Sequence, residues 1–416
     1  MIWAAKLLSG FSYDIIGMVF DLRIHGFTNC IIADSLCDLS QNLPKWNAIP
    51  QTTIKDGPTS NKIEHFQKPL KDVSGNLFLP TFEWGKKLDE GTYGKIYQAT
   101  RKIYTRTDEA DAGVLHFKSL NETKETIVIK ESHITLTPNE EAQPTAQRKR
   151  IIENEIDTLM HEAAVLTLAY QAVKRAGIEY AVPRVYEIFL HTKVDSTNVL
   201  QMNSLCISME YIKGDTLLKF MTTNFRRSTK EMNSAYFLEF VRQLALILQV
   251  LQREIRMNHR DIKVNNILLR SLSPADNPVL VLIDYGFACI AHGAQEPDAE
   301  MTNIEAGAYF GSRYACFKKG RDMIQFLYSL HCHFPLDEYL TPEVVNMIKP
   351  WFLVQYKYGT ANLFNGVTQQ GRHSNLRIQG LVYDEGIYLF LRRPEVDPVH
   401  CAPEVILKAI EDYMAS

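Results

Sequence analysis

The segment from Met257 to Ala288 restricts the possible folds of this chain more than any other. MNHRDIKVNNILL (257–269) sets His259, Arg260, Asp261, Lys263 and Asn266 just ahead of an apolar run, and VLVLIDYGFA (279–288) runs an apolar stretch straight into Asp284. Taken alone, the first string describes a polar turn between a helix and an apolar strand, with its charges in solvent. The second is harder to place blandly. An aspartate at the end of a buried strand is costly unless it is paired or metal-bound.

Composition sets the bounds around that segment. The 416 residues are 46% hydrophobic and 22% charged, near the soluble globular average, so the chain buries a sizeable core. A formal charge of -3 argues against bulk attraction to nucleic acid or to an anionic membrane. The seven cysteines are odd in number and lack a Cys-x-x-Cys pair, which suits thiols in a reducing compartment. His331, Cys332 and His333 are adjacent and point in divergent directions, so they read as core packing rather than metal ligands. The opening MIWAAKLLSGFSYDIIGMVF is apolar but is interrupted by Lys6 and Asp14, and no later window of about 20 residues is free of charge as a membrane helix needs. The expectation is a soluble, cytoplasmic protein with no nucleic-acid or membrane partner.

Residues 1–40 read as an apolar appendage, and 41–80, with Pro44, Pro50, Pro58, Pro69 and Pro80, as a polar linker or wrapping segment. From Phe82 the strings TFEWGKKL, KIYQATRKIY and TIVIKESHI predict three antiparallel strands, with 105–123 as a surface insertion. Ile152, Ile156, Leu159, Ala163, Leu166 and Tyr170 predict one long helix over 148–169. Strands at 182–189 and 205–211 follow, then helices at 234–255 and 322–332, and Pro403 starts a final amphipathic helix. WFLVQYKYG (351–359) is aromatic enough to be core. The fold class is α+β: a small antiparallel-sheet lobe with one main helix (81–211), then a larger, mostly helical lobe (212–416) ending in a helical extension. No fixed-period repeat interrupts this order.

These motifs, in this order, resemble eukaryotic-type serine/threonine protein kinases over about 82–330. His259, Arg260, Asp261, Lys263 and Asn266 match the family's catalytic loop, and Asp284, Tyr285 and Gly286 its Asp-Phe-Gly with tyrosine for phenylalanine. The resemblance implies ATP and Mg2+ as cofactors and a protein as substrate. Asp261 would be the catalytic base, Lys263 would steady the migrating phosphoryl group, and Asn266 and Asp284 would bind the metal. LDEGTYGKIY resembles the glycine-rich loop, with Gly91, Gly94 and Ile96 in place and Asp89 where the first glycine belongs. Lys130, with Val128 two residues earlier, takes the position of the phosphate-binding strand lysine, and Glu162 is its expected helix partner, with Glu155 as the fallback. On the same resemblance Met209 stands at the gatekeeper position, Glu210 to Ile212 would offer backbone groups to adenine, Asp215 would approach the ribose, and Leu268 joins the ATP-binding residues.

The Ala-Pro-Glu expected after the activation segment is absent. FGSRYACFKKGRDMIQFLYSL is closer to casein-kinase-type sequences, and on that resemblance Asp322 would hold the catalytic-loop backbone from the central helix while Ser312 would bond near Asp261 and Lys263. The APEV string at 402–405 is a decoy. The terminal extensions and the shortened segment also resemble kinases of large DNA viruses. Lys263 separates the expected serine/threonine kinase from small-molecule phosphotransferases of the same fold and from tyrosine kinases; a pseudokinase scaffold is the alternative that Asp89 and the missing Ala-Pro-Glu suggest.

Overall fold

A computed structural model describes residues 70–71, 77–91, 94–111, 114–119, 124–133, 162–163, 165–194, 200–271, 278–292, 302–305, 317–357, 359–365, 387, 390–391, 393 and 395–416. The appendage 1–40, Glu155 and Ser312 lie outside these residues. The chain divides into two compact units, Met1–Thr167 with Arg184–Tyr211 and Leu168–Pro183 with Ile212–Ser416.

The first unit is built on an antiparallel sheet of β1 (Leu70–Lys71), β2 (Leu77–Gly91), β3 (Gly94–Asp111), β4 (Val114–Ser119), β5 (Glu125–His133), β6 (Val185–Val194) and β7 (Leu200–Glu210). The order is β1-β2-β3-β5-β7-β6, with β4 also on β3. Period-two alternation sorts the sheet's faces. Ile127 and Ile129 turn to one side, into a core with Phe82, Ala99 and Cys206. Val128 and Lys130 turn to the other. Two expectations change here. β1 and the start of β2 fall in the stretch read as a linker, because the apolar run Leu77-Phe78-Leu79 can pair even between prolines. Within the expected surface insertion, residues 105–111 extend β3 and 114–119 form its partner β4; backbone pairing, which hydropathy does not report, holds that ribbon together.

Helical backbone at 162–163 and at 165–175, the latter α1, describes the end of the predicted long helix. In the second unit, α2 (Leu217–Asn224) and α3 (Lys230–Ile255) are each opened by a threonine. Thr216 Oγ1 accepts from Lys219 N at 3.2 Å and Thr229 Oγ1 from Met232 N at 3.3 Å, satisfying amides that the first turn leaves unpaired. By length and composition α3 could cross a membrane. In this fold its apolar face, including Phe237, Val241, Leu244, Leu248 and Leu251, is buried. The helix ends at Arg256, which adopts the left-handed conformation, and the chain turns into β8 (Met257–Asn258), β9 (Ile267–Arg270), β10 (Val279–Leu282), β11 (Cys289–His292) and β12 (Thr302–Glu305). β9 pairs with β10, and β11 lies between β8 and β12. Next come α4 (Arg321–His333), buried along nearly its whole length, the short α5 (Leu336–Tyr339) and α6 (Pro342–Ile348), and the hairpin β13 (Leu353–Tyr356) with β14 (Gly359–Asn362). The last helix, α7 (Pro403–Ala415), has proline at its first position and packs on α3.

Among the described cysteines, Cys206 and Cys401 are buried thiols, whereas Cys289 is disulfide-bonded. That departs from the expectation of thiols throughout: a bridge between distant residues leaves no local spacing signature.

His331 is a packing residue. Its ring stacks on Phe364 at 4.5 Å, its Nδ1 accepts from Leu336 N (3.0 Å), and its Nε2–H donates to the Phe364 carbonyl (3.1 Å). Both partners are backbone groups of fixed role, so they select the neutral tautomer. Burial lowers the imidazole pKa from its ordinary 6.5. Below that value the unfolded chain takes up a proton that the folded chain refuses, so this contribution to stability is lost as pH falls through the lowered folded pKa. Urea denaturation at pH 7 and pH 5 should show a lower midpoint at pH 5, and His331→Gln should shrink that difference while lowering stability at pH 7.

Candidate active site

In the first unit, four residues singled out in the sequence share one sheet face. Ile96 is paired with Lys130, and Val128 with Met209; directly opposed residues present their side chains to the same side. The Lys130 ammonium reaches both oxygens of Glu162, Oε1 at 2.7 Å and Oε2 at 2.8 Å, and both side chains are buried. The β2–β3 ribbon closes with Gly91 opposite Gly94. Gly94 has φ 148°, and a Cβ there would stand 2.2 Å from the Glu131 carbonyl oxygen, so a side chain is excluded by both conformation and space. Asp89 is exposed, and its Oδ1 accepts from the Glu90 amide at 2.8 Å. The carboxylate is thereby turned onto its own backbone. The Glu210 amide donates to the Arg184 carbonyl at 2.8 Å, so it is not a donor available to an adenine edge.

The second unit assembles the polar segment around Asp261. Asn266 Nδ2 donates to Asp261 Oδ2 (2.8 Å) and to the Asp261 carbonyl (3.0 Å), which turns the amide oxygen of Asn266 the other way. Lys263 Nζ lies 3.1 Å from Asp261 Oδ2. Burial raises the Asp261 pKa, with nearby Asp284 acting in the same direction and the Lys263 cation opposing both. Arg260 and Asp284 hold φ values of 69° and 66°. Such left-handed backbone costs on the order of 1–3 kcal/mol at a non-glycine residue and persists only where the surroundings impose it. Asp322 imposes it at Arg260. The aspartate is fully buried at the start of α4; its Oδ2 accepts from Asn258 Nδ2 (3.0 Å) and His259 N (2.9 Å), and its Oδ1 from Arg260 N (2.9 Å). His259 Nε2–H donates to the Ile283 carbonyl (3.0 Å), tying the loop to the residue before Asp284. The imidazole lies 4.6 Å from the Tyr285 ring.

Leu268 bridges to Thr216, and Gly214 packs so closely on β9 that a Cβ would stand 1.8 Å from the Leu269 carbonyl oxygen. Ile212 is buried, and Gly286 follows Tyr285 in the turn after β10. Asp215 is exposed and pairs with Lys219 at 2.7 Å. Asn258 and Lys318 were not singled out in the sequence. Asn258 Oδ1 accepts from Lys318 N at 2.7 Å, and its Nδ2 donates to Lys318 O at 3.1 Å as well as to Asp322. Its only sequence signal is its place beside His259.

Residues 148–311 match the family model described as the protein kinase domain. That stretch holds Asp261, Asn266 and Asp284, within a fold of mixed helix and antiparallel sheet. No curated protein sequence matches the chain. Among solved structures it is similar to the autoinhibited serine kinase domain of the giant muscle protein titin, with 16% identity and a TM-score of 0.30 over 50% of this chain and 45% of that one. It is similar in the same degree to titin kinase with its flanking domains, covering 26% of that chain. The chain thus spans less than half the length of either structure.

Asn266 and Asp284 are the residues that the sequence reading assigns to a divalent cation. No group of three or more His, Cys, Asp or Glu side chains gathers among the described residues. A cation here relies on the Asn266 amide oxygen, which Asp261 orients by taking the amide hydrogens, and on the Asp284 carboxylate; both are hard oxygen donors of the kind magnesium prefers.

Two stability tests follow. Removing one partner of a buried ion pair strands the other charge at a cost of about 3–5 kcal/mol. Lys130→Met or Glu162→Leu should each lower stability on that scale, and the two together should cost less than the sum in a double-mutant cycle by urea denaturation. The Tyr285 hydroxyl is buried with no hydrogen-bond partner among the described residues; Tyr285→Phe should therefore raise stability, by about 1 kcal/mol, by removing an unsatisfied group.

Proposed function

We propose that the chain is a protein kinase that transfers the γ-phosphoryl group of ATP to serine or threonine hydroxyls of a protein substrate in the cytoplasm. The observation that supports this most is the set of bonds around Asp261: a carboxylate held by Asn266 and Lys263, on backbone fixed from beneath by Asp322.

In this reading Asp261 accepts the proton of the attacking hydroxyl as its oxygen bonds to the γ-phosphorus, and the bond to the β-γ bridging oxygen breaks to release ADP. Lys263 steadies the migrating phosphoryl group, and Lys130, oriented by Glu162, holds the α- and β-phosphates. Mg2+, when bound by Asn266 and Asp284, supplies neutralisation of charge on the β- and γ-phosphates. Positioning and charge compensation provide most of the acceleration. Serine or threonine preference rests on Lys263, two residues after the base. A pseudokinase is disfavoured because Asp89, the chief departure in the glycine-rich loop, turns its carboxylate onto Glu90 N.

The test is transfer from γ-labelled ATP with magnesium to casein or a basic protein, beside Lys130→Met and Asp284→Asn. Label on serine or threonine that vanishes in both variants supports the proposal. Nucleotide binding without transfer favours a scaffold, and label on an aminoglycoside or choline instead favours a small-molecule phosphotransferase. Asp261→Asn should reduce transfer by about 10²- to 10⁴-fold, the usual contribution of a positioned base, while sparing ATP binding. The base form is lost as pH falls through the raised Asp261 pKa, so the acid limb of kcat should lie above that of an exposed aspartate. Lys263→Met removes the opposing cation and should move that limb to higher pH still, as read from kcat between pH 4 and 8.

A further inference from the structure

The turn 318–322 joins two parts of the second unit that are distant in sequence. On one side it holds the catalytic loop. Lys318 exchanges two backbone hydrogen bonds with the Asn258 side chain, Lys319 O accepts from Gln252 Nε2 on α3 (2.9 Å), and Asp322 takes the amides of His259 and Arg260. On the other side it holds the chain leading into α7. Lys318 Nζ donates to the carbonyls of Leu391 (3.0 Å), Arg393 (2.5 Å) and Val396 (2.6 Å), which uses the three donors of an ammonium. Gly320 lies against Pro398, where a Cβ would stand 1.9 Å from the carbonyl oxygen. Lys319 also pairs with Glu404 at 2.9 Å, but that pair is largely exposed and contributes little.

We infer that Lys318 is a positioning residue: its ammonium, clamped on the carbonyls of Leu391, Arg393 and Val396, fixes the turn whose backbone holds Asn258, and so makes the C-terminal segment a support of the catalytic loop. Nothing in the loop's own composition requires this. The Asn258 backbone pairs with β11, but its side-chain carbonyl and amide are both committed to residues 60 or more positions away. Burial and the neighbouring Arg321 lower the Lys318 pKa to about 8 against the pull of Asp397 and Glu395, so the proton and its donors are kept at neutral pH. The rate effect expected below rests on the kinase reading; the structural coupling does not.

The experiment compares amide hydrogen exchange in the full-length chain and its Lys318→Met variant, well below the unfolding temperature of both. Exchange should rise about tenfold both at 391–396 and at 257–260, the scale of losing a charge-assisted hydrogen bond. kcat for phosphoryl transfer should fall several-fold with KM for ATP unchanged, and Lys318→Arg should lie between variant and parent because its planar fork cannot aim three donors at one point. Exchange that rises at 391–396 alone, with kcat unchanged, overturns the inference and leaves Lys318 a local staple of the C-terminal segment. A parent chain that transfers no phosphate removes the proposed function but leaves the exchange comparison to decide this one. Should Lys318→Met fail to fold, Lys318→Arg is read in the same two regions, where a joint rise supports positioning and a rise confined to 391–396 refutes it.

Discussion

The second unit is organised around one buried charge. Asp322 has no exposed surface, and an ion moved into such a place loses hydration worth several kcal/mol. What offsets that loss is a set of N–H groups from Asn258, His259 and Arg260, all of which belong to the segment that carries Asp261. The compensation runs both ways. The loop cannot leave without stranding the carboxylate, and the carboxylate keeps Arg260 in a backbone conformation that this residue would not choose by itself.

The pair formed by Lys130 and Glu162 follows the same logic in the first unit. Each charge is tolerable in its buried setting because the other is present, and the bidentate geometry leaves little rotational freedom to either. Both units therefore hold buried charges whose partners cannot be removed without a cost in stability. Tyr285 is the contrary case. Its ring fills space against His259 while its hydroxyl is left without a partner among the described residues, so phenylalanine would serve the packing at least as well.

Much of this was legible in the sequence where a short period or a dense motif carried it. The shared face of Val128 and Lys130 follows from strand alternation, residues 234–255 of α3 from helical spacing, and the last helix from Pro403. Other features depend on pairings that local pattern does not encode. The β3–β4 ribbon looked like a polar insertion because its stabilisation comes from backbone bonds between 104–111 and 114–119. Asn258 looked like an ordinary neighbour of His259, since its partners Lys318 and Asp322 return to it only after about sixty residues of intervening chain. The Cys289 bridge was missed for the same reason. A lysine such as Lys318 gives no sign in sequence that its ammonium will find carbonyls to hold instead of water.

Gly94 carries a consequence for how this chain tolerates change. The backbone of β3 passes so near β5 at that point that the Glu131 carbonyl occupies the space of a first side-chain atom, and the neighbouring residue of β5 is Lys130. A single methyl group placed there would have to lever the two strands apart by more than an ångström, taking the lysine with them and away from Glu162. Losing atoms from the exposed rim of this sheet should be absorbed; gaining one at its tightest crossing should not. The first unit is in that sense guarded against deletion and open to injury by addition.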